Sequence, residues 1–98
     1  MMTARPPLRL AVLISGGGRT LLNLQEHIER GDLAARIDRV VSSRSDAPGV
    51  ARSRAAGLRV EVVERRGLDA DDYQDALTAA VGEVDLVCMA GFLSLWVI

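Results

Sequence analysis

Short apolar runs alternate along this chain with segments whose apolar residues recur every three or four positions. Each run has the length of a strand and ends at polar residues or glycine, which is typical of strands buried in a sheet. We therefore predict four strands, over Leu8–Ile14, Ile37–Ser43, Val60–Val63 and Val84–Ala90.

Helices are predicted between these strands, because the spacing places apolar side chains on one helix face. The positions that define the three faces are Leu21, Leu22, Leu24 and Ile28, then Ala47, Val50, Ala51, Arg54 and Ala55, then Tyr73, Ala76, Leu77 and Ala80. A glycine follows each segment as a stop signal, at Gly31, Gly57 and Gly82. Thr20 is expected to cap the first helix, and Asp69 or Asp71 the third.

The order β-α-β-α-β-α-β, with short connections, indicates an α/β fold with a parallel sheet and helices on both faces. Right-handed crossovers favour a Rossmann-like sheet with the strand order 3-2-1-4. We expect residues 1–98 to be the N-terminal part of a single domain, with residues 1–7 as a loose leader. Because the last residues, Leu95–Ile98, are apolar and have no polar tail, we expect the domain to be C-terminally incomplete.

Composition and charge exclude some classes of partner. The 98 residues include 12 basic and 13 acidic side chains, for a net charge of −1, which argues against nucleic acid or an anionic membrane as the partner. No apolar run reaches the roughly 18 residues of a membrane span. The single cysteine, Cys88, cannot form an internal disulfide, which fits a reducing cytoplasm. We expect a cytoplasmic protein, and the sequence leaves its oligomeric state open.

The segment between the first strand and the first helix, Ser15–Thr20, contains three successive glycines. Glycines let the backbone turn tightly and approach a ligand, and the following helix offers free N–H groups and the positive end of its dipole. The segment is therefore predicted to bind phosphate, although the same glycines would also suit a tight connection without a ligand. Arg19 then either neutralises the phosphate or lies on the surface, and Thr20 either caps the helix or also reaches the phosphate.

This loop differs from two other phosphate-binding patterns. A P-loop needs a lysine before Ser or Thr, and the chain contains no lysine. The dinucleotide fingerprint is half met, since Gly16 and Gly18 fit but Leu21 stands at the third glycine position. Arg44, after the second strand, is placed to hold a 2′-phosphate, so an NADP-binding domain of an oxidoreductase stays a second interpretation.

Other candidate residues have simpler structural explanations. His27 lies near the end of the first helix, where we expect a surface position and no catalytic role. Cys88 lies within a predicted strand and is expected to be a small core residue. Aspartates gather near the start of the third helix, where negative charge favours the helix N-terminus, so no metal site is expected. These are Asp69, Asp71, Asp72 and Asp75.

Four segments, in order, resemble the phosphoribosylglycinamide formyltransferases, within the folate-dependent formyltransferase family. They are Leu13–Leu21, Val41–Ala47, Ala56–Gly57 and Asp85–Leu93, the last containing Ala-Gly-Phe after the fourth strand. The resemblance implies transfer of a formyl group from 10-formyltetrahydrofolate to the amine of glycinamide ribonucleotide, in purine biosynthesis. Methionyl-tRNA formyltransferase and formyltetrahydrofolate deformylase share the fold and remain alternatives, as does a non-catalytic module that folds by pairing with a partner.

The resemblance also assigns site residues. It implies that Gly18, Arg19 and Thr20 bind the ribonucleotide phosphate, although the family often has Ser and Asn where this chain has Arg19 and Thr20. It places the folate pocket after the fourth strand, and the corresponding residues are Leu93, Ser94, Leu95 and Trp96.

Two of these positions depart from the family, and its catalytic residues have no counterpart here. Ser94 stands where many members have Arg, and Ala70 stands where they have a basic folate contact. The catalytic Asn, His and Asp lie beyond the fourth strand in the family, and none can be placed on this chain. We therefore expect the 98-residue chain to bind the ribonucleotide phosphate at best and to be inactive alone.

Overall fold

The computed structural model describes residues 7–89, which form a parallel sheet flanked by helices. The elements are β1 (Leu8–Ile14), α1 (Arg19–Glu29), β2 (Ala35–Ser42), α2 (Pro48–Ala55), β3 (Val60–Val62), α3 (Ala70–Val81) and β4 (Leu86–Met89). The strands pair in the order β3-β2-β1-β4 and every pairing is parallel. The predicted α/β class and strand order are therefore confirmed. Residues 1–6 of the expected leader and Ala90, the predicted end of the fourth strand, lie outside the described residues.

β2 and β3 end one residue before their predicted ends, at Ser42 and Val62, and the starts of β2 and β4 also differ because pairing with β1 sets them. β2 begins at Ala35 rather than Ile37, since Leu8 pairs with Ala35 and draws the polar start of the strand into the sheet. β4 begins at Leu86 rather than Val84, because its pairing with β1 starts at Leu10. Hydrogen bonding to a neighbour, which an apolar pattern does not reveal, thus decides where these strands begin.

Alternate residues of β1 enter two separate cores, one on each face of the sheet. Leu10, Val12 and Ile14 pack with Leu21 of α1, while Ala11 and Leu13 pack on the opposite face with α3. From α3, this second core receives Tyr73, Leu77 and Val81. Because both faces of β1 are covered, its sequence is a continuous apolar run rather than an alternating one.

A bulge in β2 keeps its apolar residues directed to the proper faces. Leu10 pairs with Ile37 and Ala11 with Arg39, so Asp38 is the additional residue in β2. Side chains alternate between faces along a regular strand, and one extra residue resets that alternation. Ile37 and Val40 can therefore enter the same core although they are three positions apart.

The helix ends confirm most of the predicted signals and correct one. Thr20 is not the N-cap of α1, because the helix begins at Arg19 and the N-cap is Gly18. At the other end, Gly31 has a φ of 80° and donates to the Ile28 carbonyl, while the Asp32 amide donates to the His27 carbonyl. These two bonds form a Schellman motif, so the predicted glycine stop is confirmed.

The start of α3 explains the acidic residues around it. Asp69 is the N-cap, and its Oδ1 accepts a hydrogen bond of 2.8 Å from the Asp72 amide. Asp71 and Asp72 lie in the first turn, where the positive end of the helix dipole favours negative charge. Within residues 7–89, no group of acidic, histidine or cysteine side chains is arranged to hold a metal ion. None of the helices in that range is long and apolar enough to cross a membrane.

β4 lies at an edge of the described sheet and is less buried than its neighbour β1. Leu86 and Met89 are each 51% exposed, and Cys88 is half-buried against the core on the α1 face. The prediction that Cys88 is a core residue is therefore correct only in part.

An ion pair connects the bulge of β2 to the C-terminus of α3. The Arg39 guanidinium donates to Asp38 Oδ2 at 2.9 and 2.7 Å, and to the Ala80 carbonyl at 3.3 Å. Both side chains are largely buried, at 14% and 19% exposure. The hydrogen bond from Arg39 lowers the pKa of Asp38 below its ordinary value of 3.8. Burial opposes this shift, and the charges of Arg39, Arg36 and Arg9 add smaller decreases.

The free energy of unfolding should therefore decrease at low pH as the Asp38 carboxylate becomes protonated. A carboxyl whose folded pKa is lowered stabilises the fold above its unfolded pKa, and that stabilisation is lost as the pH falls through the folded pKa. Urea unfolding between about pH 6 and about pH 3 should show a steeper loss for the unsubstituted chain than for Asp38→Asn. Asp75→Asn, an exposed control in α3, should keep the original pH dependence. Equal slopes for the chain and Asp38→Asn would contradict this.

Candidate functional site

The glycine-rich loop lies where the sheet topology changes direction. From β1 the chain passes to β2 and then β3 on one side, whereas β4 pairs with the other edge of β1. In open α/β sheets this switch point, at the carboxyl ends of the strands, is where ligands bind. The loop from Ser15 to Gly18 follows β1 directly and leads into α1. The structure therefore places the predicted phosphate-binding segment at the usual ligand edge.

Gly18 is the position in this loop where another residue would be strained by its backbone conformation. Its φ is 76°, in the left-handed region that L side chains rarely adopt. A Cβ on Gly18 would also lie 3.0 Å from the Cα of Gly49. Gly17 is different, because a Cβ there would meet its nearest neighbour, Nη1 of Arg52, at 3.5 Å.

The N-terminus of α1 is open to an anion. Its first backbone hydrogen bond runs from the Leu22 amide to the Gly18 carbonyl at 2.9 Å, so the amides of Arg19, Thr20 and Leu21 precede the helical ladder. Gly18 contributes no side-chain cap, and the first turn contains no acidic residue. These amides and the helix dipole can bind a phosphate oxygen without any cationic side chain.

The side chains of Arg19 and Thr20 lie beside this cradle rather than within a closed site. Both residues are exposed and line an open depression of about 510 Å³ along α1, together with Leu22, Asn23 and Glu26. Gly18, Arg19 and Thr20 thus contribute to the candidate site through the backbone at the start of α1. Because Glu26 shares the depression with Arg19, the side-chain charges there are mixed.

Serine residues join the ends of β1 and β2 at this edge. The Oγ atoms of Ser15 and Ser43 are 2.6 Å apart, and the Ser43 amide donates to the Ile14 carbonyl at 3.2 Å. Ser42 Oγ accepts from the Arg44 amide at 3.2 Å and donates to the Arg44 carbonyl at 2.8 Å. These bonds fix the start of the connection from β2 to α2 next to the glycine loop.

Arg44, the residue proposed to hold a 2′-phosphate, forms a two-point ion pair instead. Its Nε and Nη2 donate to the two carboxylate oxygens of Asp46, each at 3.1 Å. The hydrogen bond from Arg44 lowers the pKa of Asp46, and the same bond raises the pKa of Arg44. The carboxylate therefore already compensates the charge that an NADP site would need.

Two residues of α2 contact the loop, and sequence reasoning missed both. The Gly49 amide donates to the Gly16 carbonyl at 3.0 Å, and Arg52 Nη1 donates to the Gly17 carbonyl at 2.9 Å. A Cβ on Gly49 would lie 2.8 Å from the Gly16 oxygen, so the close approach depends on glycine. The one available signal was a glycine directly after Pro48, at the start of a helix.

His27 lies at the far end of α1 from the loop. It is in the last turn, with Nδ1 3.0 Å from Arg30 Nη2 and 3.3 Å from Asp32 Oδ2. A helix of 11 residues separates the two ends, which corresponds to about 16 Å. The predicted surface position agrees with the 44% exposure of the His27 side chain, and the lack of a catalytic role stays a prediction.

The predicted folate contacts have no described position in the structure. Leu93, Ser94, Leu95 and Trp96 all lie outside the described residues. Ala70, which stands where the family has a basic folate contact, is the exposed first residue of α3.

Comparison with known proteins identifies the family. A family model described as formyl transferase matches residues 8–96, which is nearly the whole chain. The chain belongs to the formyl transferase family. The resemblance found in the sequence is thereby confirmed, and the NADP-binding alternative receives no support.

Individual formyltransferases agree with this membership. A phosphoribosylglycinamide formyltransferase of Haemophilus influenzae is 32% identical over 91 residues, covering 89% of this chain and 42% of the relative. A chloroplastic enzyme of the same name from Vigna unguiculata is 33% identical over 92 residues, covering 89% and 29%. The structure of phosphoribosylglycinamide formyltransferase from Coxiella burnetii superposes with a TM-score of 0.85 at 31% identity, covering 92% and 44%. This formyl transferase chain therefore spans less than half the length of each of these relatives.

Proposed function

We propose that this chain supplies the ribonucleotide-binding edge of a phosphoribosylglycinamide formyltransferase. The observation that carries the proposal is the set of amides at the start of α1, which lie outside the helical ladder at the carboxyl end of β1. The similarity to relatives bearing that name at 31–33% identity supports the choice of substrate. The proposed substrate is glycinamide ribonucleotide, whose phosphate binds at Gly18, Arg19 and Thr20.

The backbone carries most of the proposed phosphate recognition. The amides of Arg19, Thr20 and Leu21 and the dipole of α1 act together on a phosphate oxygen. The Arg19 guanidinium adds attraction from one side, but it is exposed and shares its surroundings with Glu26. The bound phosphate would hold the substrate so that its amine lies along the carboxyl edge of the sheet, where β4 ends beside β1.

The proposed formyl donor is 10-formyltetrahydrofolate, consistent with the general use of formyl-folate donors by formyl transferases. Its predicted contacts, Leu93 to Trp96, lie outside the described residues, so the donor rests on family membership. A cytoplasmic location likewise remains a prediction.

The 98-residue chain is proposed to bind the ribonucleotide without transferring the formyl group. Transfer needs a polarised formyl carbonyl, a stabilised oxyanion and a proton acceptor for the attacking amine. His27 is the single histidine of the sequence, and it lies at the opposite end of α1 from the proposed phosphate. An assay with glycinamide ribonucleotide and 10-formyltetrahydrofolate should therefore show no turnover above background, and measurable turnover would contradict the proposal.

Binding can be measured on the isotope-labelled chain by NMR. Glycinamide ribonucleotide should shift the amide signals of residues 17–21, whereas its dephosphorylated nucleoside should not, because the amides recognise the phosphate. Arg19→Gln should weaken binding modestly, by about twofold to fivefold, since an exposed cation contributes little. Arg30→Gln removes the same charge at the other end of α1 and serves as the matched control. Equal shifts with the dephosphorylated compound would contradict phosphate recognition.

A further inference from the structure

We propose that Arg52 is a positioning residue that turns the amides of the glycine loop toward the phosphate. The inference rests on the proposed function and adds a device from α2 that builds the binding conformation. It assigns Arg52 no contact with the substrate. The role follows from which side of each loop peptide α2 binds.

Two neighbouring carbonyls of the loop accept hydrogen bonds from α2. The Gly49 amide, in the first turn of that helix, binds the Gly16 oxygen at 3.0 Å. One turn further, Arg52 Nη1 binds the Gly17 oxygen at 2.9 Å. The Gly16 carbonyl therefore faces the backbone of α2, and the Gly17 carbonyl faces a guanidinium that α2 supplies.

The opposite side of each peptide is thereby fixed as well. A trans peptide is planar, with its carbonyl oxygen and its N–H on opposite sides, and residues 7–89 contain no cis bond. Because the Gly16 and Gly17 carbonyls point to donors from α2, the N–H groups of Gly17 and Gly18 point away from those donors. The N–H groups of Gly17 and Gly18 then lie on the opposite side of each peptide from its α2 donor, where they can extend the row of amides at the start of α1.

The position of the Arg52 guanidinium separates positioning from direct binding. It lies on the carbonyl side of the loop, where a Cβ on Gly17 would be 3.5 Å from Nη1. A phosphate held by the N–H groups would lie on the other face of the same peptides. Arg52 is suited to this role because its long side chain reaches a carbonyl 35 positions away in sequence, and because a charged donor holds a carbonyl more firmly than a neutral one.

The test uses the full 98-residue chain with inorganic phosphate as the probe. Arg52→Met removes the donor and keeps an unbranched apolar stem, whereas Arg52→Lys keeps a charged donor. Arg54→Met removes the same charge from an exposed position on the same helix and controls for long-range electrostatics. Phosphate affinity is measured from amide shifts of residues 17–21, and the Gly17 carbonyl carbon shift reports the hydrogen bond without any ligand.

We expect Arg52→Met to bind phosphate about tenfold more weakly, with a changed Gly17 carbonyl shift, because the loop peptide becomes free to rotate. Arg52→Lys should recover a substantial part of the affinity, and Arg54→Met should resemble the unsubstituted chain. Equal weakening by Arg52→Met and Arg54→Met would overturn the positioning role in favour of charge alone. Unchanged affinity in Arg52→Met would overturn it too. Failure of the unsubstituted chain to bind phosphate would instead overturn the proposed function.

Discussion

Gly49→Ala should destabilise the protein by about 2 kcal/mol and weaken phosphate binding by about tenfold. Alanine is a better helix former than glycine by up to about 1 kcal/mol, so propensity alone predicts a gain. Packing opposes that gain, because the new Cβ would lie 2.7 Å from Ile14 Cδ1, 2.8 Å from the Gly16 oxygen and 3.0 Å from the Gly18 nitrogen. Ile14 can rotate away, but the two backbone atoms belong to the glycine-rich loop itself. We therefore expect the steric overlap to outweigh the gain in helix propensity and to displace the loop.

Urea unfolding and a phosphate titration together check this prediction. Gly17→Ala is the matched control, because it adds the same methyl group on the loop side of the contact with α2, at an ordinary distance of 3.5 Å. It should change the free energy of unfolding by no more than about 0.5 kcal/mol. A Gly49→Ala variant as stable as the unsubstituted chain would show that α2 can move away from the loop without cost.

Leu77→Ala should cost about 2–5 kcal/mol of stability and leave phosphate affinity unchanged in the folded fraction. Leu77 is fully buried in the core between α3 and the sheet, with Leu13 and Val41. Removing its side-chain carbons loses their burial and leaves a cavity that the flanking strands can fill only in part. The site should not respond, because α3 covers the face opposite to α1.

Two variants limit the interpretation of this result. Leu68→Ala makes the same truncation at a residue that is 37% exposed, and should cost much less. Leu77→Met keeps the volume and should cost less than about 1.5 kcal/mol. If Leu77→Ala weakened phosphate binding as Gly49→Ala does, the two faces of the sheet would not be independent.

The candidate site was visible in the sequence where neighbouring residues define it. Gly16 to Gly18 follow an apolar strand and precede a helical pattern, so their location at the ligand edge could be predicted from local order alone. The N-cap was misplaced because Thr20 has the usual capping side chain, whereas the structure uses a left-handed Gly18. The conformation of the loop decides which residue has a positive φ, and three successive glycines give no indication of which one it is.

The periodicity of apolar residues determined the element order, the parallel sheet and the two covered faces. Those features depend on the spacing of side chains a few positions apart, and this spacing can be read directly from the sequence. Tertiary structure alone decided the bulge at Asp38 and the contacts of Gly49 and Arg52 with the loop. Gly17 and Arg52 are 35 positions apart, and no local pattern relates them. They meet because the sheet pairs β2 with β1 and brings the start of α2 beside the loop, so the conformation of the proposed phosphate site is set by packing between elements.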